Sequence, residues 1–404
     1  MNGANLRLPF TSVVRADGDH LCSVAPDSLP ALLANVRWDF NERPRDQARD
    51  IEALHPYPAK FIAELPRALL SILPLPKYTS VLDPFCGSGT TLVECQRKGI
   101  SSIGIDLNPI ACLIARCKTS PLAPRFRQAA EEVFTAARNL GNPTVPPIPN
   151  LDHWFLPSVQ VALAALTEAI RSAPESHRDP LRLVLSSIIV RVSNQESDTR
   201  YAAVQKSVTA DDVYIRFLRA ARRIDDVLSA RDYGFSPSSR VIEANTLTLP
   251  PSTLSKRSVG LVITSPPYPN AYEYWLYHKY RMWWLGYDPI AVKTHEIGAR
   301  AHFFKRHHHT ADNFVRQMEA TFRLMKDVIV DGAYACFVVG RSKIHGDIVD
   351  NANIIEDVGR SMGFSRVFAA ERVLSAKRKS FNLSHANIKT ETVLVLRHGG
   401  AACV

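Results

Sequence analysis

Hydrophobic positions along this chain recur at two different spacings. Short runs of apolar and β-branched residues predict buried strands at 80–83, 102–106, 240–245 and 260–264. Apolar residues at helical spacing predict helices over 61–73 and 92–98, which precede and follow the first strand. A strand, a helix and a second strand in close succession are typical of a βαβ unit, so the chain is expected to be an α/β protein.

The middle of the chain has a different, helical pattern. Thr209 and Asp212 have capping-box spacing ahead of a helix over 213–228, and Asp179-Pro180 predicts the start of a helix over 181–192. Four prolines, Pro143, Pro146, Pro147 and Pro149, predict a stiff connection into this part. The predicted organisation is an N-terminal arm at 1–54, a first α/β half at 55–141, a helical insertion at 142–239 and a second α/β half at 240–398.

The α/β pattern resumes after the insertion. Helices are predicted over 314–330 and 354–362, and a buried strand over 332–340. The segments 366–373 and 392–397 are expected to close the sheet as an antiparallel pair. The predicted sheet is therefore mixed.

The strand at 260–264 runs directly into Ser265-Pro266-Pro267-Tyr268. Each proline lacks an N–H and fixes its own φ, so the strand stops there and the turn is stiff. Ligands of open α/β sheets bind at the carboxyl ends of strands, and a hydroxyl and an aromatic ring are placed at that edge. Taken alone, the stretch is equally well explained as a proline-stopped strand with a packing tyrosine.

A glycine-containing turn follows the first strand, in Asp83-Pro-Phe-Cys-Gly-Ser-Gly-Thr-Thr91. Gly87 and Gly89 allow a sharp turn and a close approach of the backbone to a ligand. Asp106 ends the next strand about 20 residues on, where a carboxylate can accept ribose hydroxyls. The third glycine of the dinucleotide fingerprint is missing, and so is the Gly-Lys-Ser/Thr of a P-loop. The pattern favours a nucleoside ligand without an essential pyrophosphate.

The net charge of +10 over 404 residues favours a polyanionic partner, most simply nucleic acid, over a merely basic surface. No apolar run approaches the roughly 18 residues of a membrane span, so no membrane partner is expected. Seven cysteines without a C-x-x-C pair indicate a reducing compartment, which we take to be the cytoplasm.

Basic and aromatic residues follow the Ser-Pro-Pro-Tyr stretch. The loop 295–310 contains His307-His-His309, but it lacks the spacing and acidic partners of a metal site, so no metal is predicted. A loop that contacts nucleic acid is preferred there over a solvated loop, whereas the arginines of 213–228 are at least as well explained as a solvated face. The candidate nucleic-acid contacts are Tyr272, Arg300, Lys305, Arg306, Lys377, Arg378 and Lys379.

Together these motifs resemble the amino-methyltransferases that use S-adenosylmethionine, over roughly 55–118 and 240–398. Asp83–Thr90 matches the cofactor motif of that family, Ser265–Tyr268 matches its catalytic motif, and Pro58–Phe61 resembles the segment near the methionine part of the cofactor. The resemblance implies a Rossmann-like methyltransferase sheet with helices on both faces and a helical insertion. It departs from the family in two ways: the insertion precedes Asn245, and Asn245 stands where aspartate is common.

The resemblance also implies the residues of the site. The catalytic residues would be Ser265, Pro266, Pro267 and Tyr268. The residues that bind S-adenosylmethionine would be Lys60, Phe61, Asp83, Pro84, Phe85, Cys86, Gly87, Ser88, Gly89, Thr90, Asp106, Leu107, Asn108, Asn245 and Thr264.

In this family Ser-Pro-Pro-Tyr usually accompanies methylation of cytosine N4, and Asp-Pro-Pro-Tyr that of adenine N6. The side chain of Ser265 and the carbonyl of Pro266 would accept the two amino hydrogens, and Tyr268 would stack on the extracted base. The expected partner is DNA, associated with the nucleoid of a prokaryote. Adenine N6, an RNA substrate and an inactive nucleic-acid-binding protein stay open as alternatives, as do a restriction or defence partner and the oligomeric state.

Overall fold

A computed structural model gives the fold of this protein. It describes residues 28–40, 51–58, 61–198, 200–231, 233–234, 237–269, 273–303, 308–374 and 389–399 of the chain.

Seven strands form one twisted sheet in the order β10-β11-β7-β6-β1-β2-β5. All of them run parallel except β11, which is antiparallel to both of its neighbours. From β1 the chain continues to β2 and then β5 on one side of the sheet, and from β6 it continues to β7 on the other side. The crevice of a topological switch point therefore lies between β1 and β6. The strands are β1 (Ser80–Asp83), β2 (Ser102–Asp106), β5 (Ser239–Glu243), β6 (Val259–Thr264), β7 (Ile329–Gly340), β10 (Phe364–Val373) and β11 (Thr390–His398).

Helices cover both faces of this sheet because alternate strand residues face opposite ways. Val81 packs in one core with α1 and α2, while the adjacent Leu82 packs in another with α12 and α13. The predicted fold class, an α/β Rossmann-like methyltransferase mixed sheet with helices on both faces and a helical insertion, is confirmed. The helices of the sheet domain are α1 (Leu29–Ala34), α2 (Glu64–Ile72), α3 (Thr90–Arg97), α4 (Pro109–Thr119), α10 (Tyr274–Trp284), α11 (Pro289–His295), α12 (Ala311–Val328) and α13 (Asn351–Ser361).

The helical insertion forms a third core against α4 and α10. Its elements are α5 (Phe126–Asn139), α6 (Leu151–Trp154), α7 (Pro157–Ser172), α8 (Glu175–Val192), the hairpin strands β3 (Gln195–Ser197) and β4 (Arg200–Ala203), and α9 (Ala210–Ser229). The capping box of Thr209 and Asp212 is present at the start of α9. Because α5 packs on α7 and α9, this helix belongs with the insertion in space, and the domain boundaries along the chain stay a prediction.

The predicted helix start at Asp179-Pro180 is wrong. Helix α8 begins at Glu175 and continues through Pro180, and Asp179 accepts a hydrogen bond from Arg116 Nε at 2.8 Å instead of capping. Pro180 lies near the beginning of the helix, where its missing N–H removes a single intrahelical bond. Burial of the apolar residues that follow offsets that loss.

No helix in the part of the chain that the structure describes is both long enough and apolar enough to cross a bilayer.

The segment 51–58 is fixed to the sheet domain by a buried ion pair. Glu52 Oε2 lies 2.9 Å from Lys118 Nζ on α4 and accepts a hydrogen bond of 2.9 Å from Thr90 Oγ1, at the start of α3. The Lys118 side chain is 0% exposed. A charge removed from water this completely is tolerated because its partner is in place.

We expect Lys118→Met to lower the free energy of unfolding by about 3–5 kcal/mol, because it leaves the Glu52 carboxylate buried without its cation. The matched control is Arg257→Met, which breaks the exposed pair between Arg257 and Asp331 and should leave the unfolding midpoint almost unchanged. Chemical denaturation of the wild type and both variants measures the difference. Equal midpoints for the two variants would contradict the role assigned to the buried pair.

Candidate active site

The glycine loop links the end of β1 to the start of α3. Gly87 (φ +49°) and Gly89 (φ +82°) both have left-handed backbone conformations, which suit glycine. A Cβ at Gly89 would lie 2.8 Å from the Cβ of Ala115 on α4, so the loop lies directly on that helix. The Gly87 N–H donates to Asp106 Oδ2 at 2.8 Å, which ties the loop to the end of β2.

Asp106 lies at the carboxyl end of β2, beside the glycine loop. Besides the Gly87 N–H, its carboxylate accepts the N–H of Asn108 on Oδ1 at 2.8 Å. Burial raises the pKa of Asp106 to about 6, against the opposing effect of these backbone donors. The carboxylate is therefore still mostly ionised at neutral pH, and it is a strong acceptor at the sheet edge.

Asp83 joins the two strands on either side of the switch point. Its Oδ1 accepts a hydrogen bond from Thr264 Oγ1 at 2.7 Å and another from the Phe85 N–H at 3.1 Å. Both Asp83 and Thr264 are buried, and burial raises the pKa of Asp83 to about 6. The last residue of β1 is thus locked to the last residue of β6.

Ser265 follows Thr264 and turns towards β7. Its hydroxyl donates to the backbone carbonyl of Val338 at 2.8 Å. Because that bond uses the hydroxyl hydrogen, the oxygen presents lone pairs to any further partner and acts as an acceptor.

The Pro-Pro-Tyr part of the turn lies against the segment that carries Gly298. Pro266 is buried, while Pro267 and Tyr268 are half-buried. A Cβ at Gly298 (φ +72°) would be 2.4 Å from the Tyr268 carbonyl oxygen, so the two backbones are in close contact. The backbone of this stretch is therefore restrained both by its own prolines and by its contact with the segment that carries Gly298.

A stack of aromatic rings covers the glycine loop, and sequence reasoning did not assign it to the site. A Cβ at Gly87 would lie 3.5 Å from the ring of Tyr57. Tyr57 stacks on Tyr274 with ring centroids 5.8 Å apart and on His278 at 5.1 Å. Burial, with the nearby Asp106 carboxylate, raises the pKa of Tyr57 well above its ordinary value. The available signal was the position of Tyr57 between two prolines.

Glu296 holds the first turn of α10 in place beside Tyr57. Its two carboxyl oxygens accept the N–H groups of Tyr274 and Trp275, both at 2.8 Å. Burial raises the pKa of Glu296 to about 8. This residue lies in the loop that the sequence marked only for its basic character, and the missed signal is an acid two residues before a glycine.

The remaining predicted cofactor residues differ in their contacts and burial. Thr246 Oγ1 donates to the Pro84 carbonyl, which connects the turn after β5 to that loop. Asn245 lies two residues beyond the end of β5, and its Oδ1 accepts the Leu247 N–H at 3.0 Å. Phe61 and Leu107 are half-buried, and Ser88 and Cys86 are buried.

The predicted nucleic-acid contacts are mostly outside the described residues. Arg300 lies in a short 3₁₀ turn, and its charge acts on Tyr277 of α10. Lys60, Tyr272, Lys305, Arg306, Lys377, Arg378 and Lys379 lie outside the described residues. Across the described ranges, no three His, Cys, Asp or Glu side chains form a group that could hold a metal ion.

The residues at this edge fit a nucleoside cofactor. The glycine loop turns sharply at Gly87 and Gly89, which pack against Tyr57 and Ala115, and Asp106 provides an acceptor at the end of β2. Asn108 adds an amide whose Oδ1 accepts the Ile110 N–H, while its buried Nδ2 has no hydrogen-bond partner among the described residues. A buried donor of this kind is costly unless something binds it.

Part of the chain is similar to known proteins. Residues 31–116 match the family model described as DNA methylase, a stretch that contains the glycine loop and Asp106 and ends before Ser265. Type II methyltransferase M.MvaI of Kocuria varians is 26% identical over 237 residues, 53% of this chain and 52% of that protein. Type II methyltransferase M.MjaII of Methanocaldococcus jannaschii is 43% identical over 78 residues, 18% of this chain and 14% of that protein.

The chain thus spans about half or less of the length of these curated relatives. Among solved structures, a SAM-dependent methyltransferase from Methanosarcina mazei aligns with 80% of this chain and 94% of that one, at 11% identity and a TM-score of 0.32. A TM-score this low adds nothing to what the strand order shows. Residues 31–116 of this chain are thus similar to DNA methylases.

We expect Gly89→Ala to destabilise the fold more than Gly99→Ala. Both glycines have a positive φ, so each variant incurs about 1–2 kcal/mol of backbone strain. Gly99 has open space around its Cβ position, whereas an alanine at 89 also collides with Ala115 on α4. Thermal unfolding of both variants measures the difference. A Gly99→Ala variant as unstable as Gly89→Ala would show that contact with α4 does not constrain the loop.

Proposed function

We propose that this protein is a DNA methyltransferase that transfers the methyl group of S-adenosylmethionine to the N4 amino group of cytosine. The observation that carries the proposal is the hydrogen bond from the Ser265 hydroxyl to the Val338 carbonyl, at the strand end next to the glycine loop. It makes Ser265 a fixed, uncharged acceptor. The likeness of residues 31–116 to DNA methylases supports the cofactor half of the site.

S-adenosylmethionine would be held by the glycine loop, Asp106 and Asn108. The Asp106 carboxylate suits the ribose hydroxyls, and the buried Asn108 Nδ2 supplies a donor. The Tyr57 ring lies against Gly87 and so covers the loop beside this site. When bound, the cofactor supplies an electrophilic methyl group.

Ser265 and Pro266 orient the amino group of the base. Its nitrogen is a poor nucleophile because the lone pair is delocalised into the ring. The Ser265 oxygen and the Pro266 carbonyl each accept one amino hydrogen, which favours a more tetrahedral nitrogen with its lone pair directed away from them. No cysteine nucleophile is required, and burial raises the pKa of the Cys86 thiol well above its ordinary value.

The half-buried ring of Tyr268 is the stacking surface for a base taken out of the duplex. Burial of Pro266 and the contact of the Tyr268 backbone with Gly298 restrain the backbone that carries this ring. The base would therefore meet a stiff surface on one side and the two acceptors at its amino edge.

The choice of cytosine rests on the chemistry at position 265. A serine that donates its hydrogen to Val338 presents a neutral acceptor, whereas the aspartate of many amino-methyltransferases presents a charge. We further propose that the protein acts on DNA inside a prokaryotic cell.

Sequencing that maps modified bases in DNA tests this function directly. We expect N4-methylcytosine in one sequence context when the protein is expressed in a host that lacks this modification. N6-methyladenine would overturn the base assignment while leaving the reaction intact. Binding of DNA without any transfer would overturn the activity and identify a nucleic-acid-binding module.

We expect Ser265→Ala to lower kcat by about 10²-fold, because it removes one of the two acceptors on the amino group, while the Kd for S-adenosylmethionine stays within twofold. Ser361→Ala is the matched control, since that hydroxyl donates to the Val358 carbonyl at 2.7 Å within α13. Single-turnover transfer and calorimetric binding separate the two effects. Turnover by the Ser265 variant equal to that of the control would remove Ser265 from the mechanism.

A further inference from the structure

A small hairpin projects from the same sheet edge as the candidate active site. It consists of β8 (Ser342–Ile344) and β9 (Asp347–Val349), and it starts two residues after the end of β7. Asn351, which is fully buried, anchors its base by donating to the Gly340 carbonyl and to Ser342 Oγ, both at 2.7 Å. The carbonyl of Val338, which accepts from Ser265, lies only four residues before the hairpin.

The two faces of the hairpin differ. Ser342 and Ile344 are buried against the domain. Lys343 and Ile348 lie directly opposite each other in the register and face outward. Ile348 is 76% exposed. A single exposed apolar residue is ordinary, but here it is paired with a cation on a projecting ribbon.

Histidines support the tip of the hairpin. His345 (φ +51°) and Gly346 (φ +106°) form its turn. The His345 ring contacts that of His308 with centroids 4.1 Å apart, and its Nε2 is 3.1 Å from the His309 carbonyl oxygen. Part of the histidine run in the sequence thus braces this hairpin, and the ribbon is held at both its base and its tip.

The charges near Ile348 are mixed. Lys343 is exposed on the opposite strand, and Asp347, which precedes Ile348 on β9, is exposed as well. Arg341 at the base is engaged with Asp350 and Glu371. A two-stranded ribbon fits the major groove of DNA, and at about 3.3 Å per residue Lys343 is at most about 17 Å along the chain from Val338.

We propose that Ile348 is a wedge that enters the base stack of the duplex where the target base leaves it. The proposal rests on the proposed function, because only an enzyme that extracts its base needs to fill the gap. Extraction costs unstacking energy, and inserted apolar side chains such as isoleucine are a known means of offsetting it. Lys343, opposite Ile348, is placed to contact a phosphate of the same duplex.

The test compares Ile348→Ala with the wild type on two duplexes that contain the mapped target. In one duplex the target base is paired, and in the other it faces an abasic site, which removes most of the cost of extraction. We expect Ile348→Ala to lower kcat/KM by about tenfold on the paired duplex and to stay within twofold of wild type on the other. Ile348→Leu, which keeps an apolar wedge, should retain most of the activity.

The matched control is Val161→Ala, which removes an apolar side chain that is 48% exposed on α7 and should leave both rates unchanged. Wild-type rates for Ile348→Ala on both duplexes would overturn the wedge, and so would an equal loss on both. A wild-type protein that methylates neither duplex would overturn the proposed function itself, which is a distinct result.

Discussion

The hydrogen bond between Thr264 and Asp83 is the contact on which the candidate site depends. It joins the last residues of β6 and β1, the two strands at which the chain direction across the sheet reverses. The Ser-Pro-Pro-Tyr stretch begins one residue after Thr264, and the glycine loop begins one residue after Asp83. Since both partners are buried, loss of Asp83 would leave the Thr264 hydroxyl without this acceptor, and loss of Thr264 would leave Asp83 with the Phe85 N–H as its remaining donor of this pair. One short bond therefore sets the relative position of the two motifs.

The other carboxyl groups at this edge are held by hydrogen bonds from backbone N–H donors. Asp106 accepts two of them and fixes the glycine loop, and Glu296 accepts two and fixes the start of α10. Burial raises the pKa of both, to about 6 for Asp106 and about 8 for Glu296. Glu296 is consequently mostly protonated at pH 7, whereas Asp106 keeps most of its charge. The edge is preorganised by these hydrogen bonds, and the Asp106 charge lies next to the glycine loop.

Sequence reasoning found the elements whose signals are local. The β-branched runs before Asp83 and before Ser265, and the glycines of the loop, lie within a few residues of the feature they specify. Tyr57 and Glu296 were missed because each contacts α10 from another part of the chain. Tyr57 is hundreds of residues from Tyr274 in the sequence, and Glu296 is about twenty residues from it. No local sequence pattern encodes such pairings. The predicted start of α8 was wrong although the local signal was good. The capping signal at Asp179 was overridden by tertiary burial of the helix.

The strand order also explains why so much of the chain's chemistry converges on one edge. β10 runs parallel to β7, so it ends at this edge, and β11 begins there, with Glu391 opposite Gly340. The pairing of Arg372 with Glu391 at 2.7 Å, largely buried, fixes the ends of these two strands next to the β8–β9 hairpin. Leu374 and Lys389, whose backbones are joined by a hydrogen bond of 2.9 Å, therefore lie at the edge that carries Ser265. A duplex bound as proposed would meet the β8–β9 hairpin, Leu374 and Lys389 on the same side of the sheet.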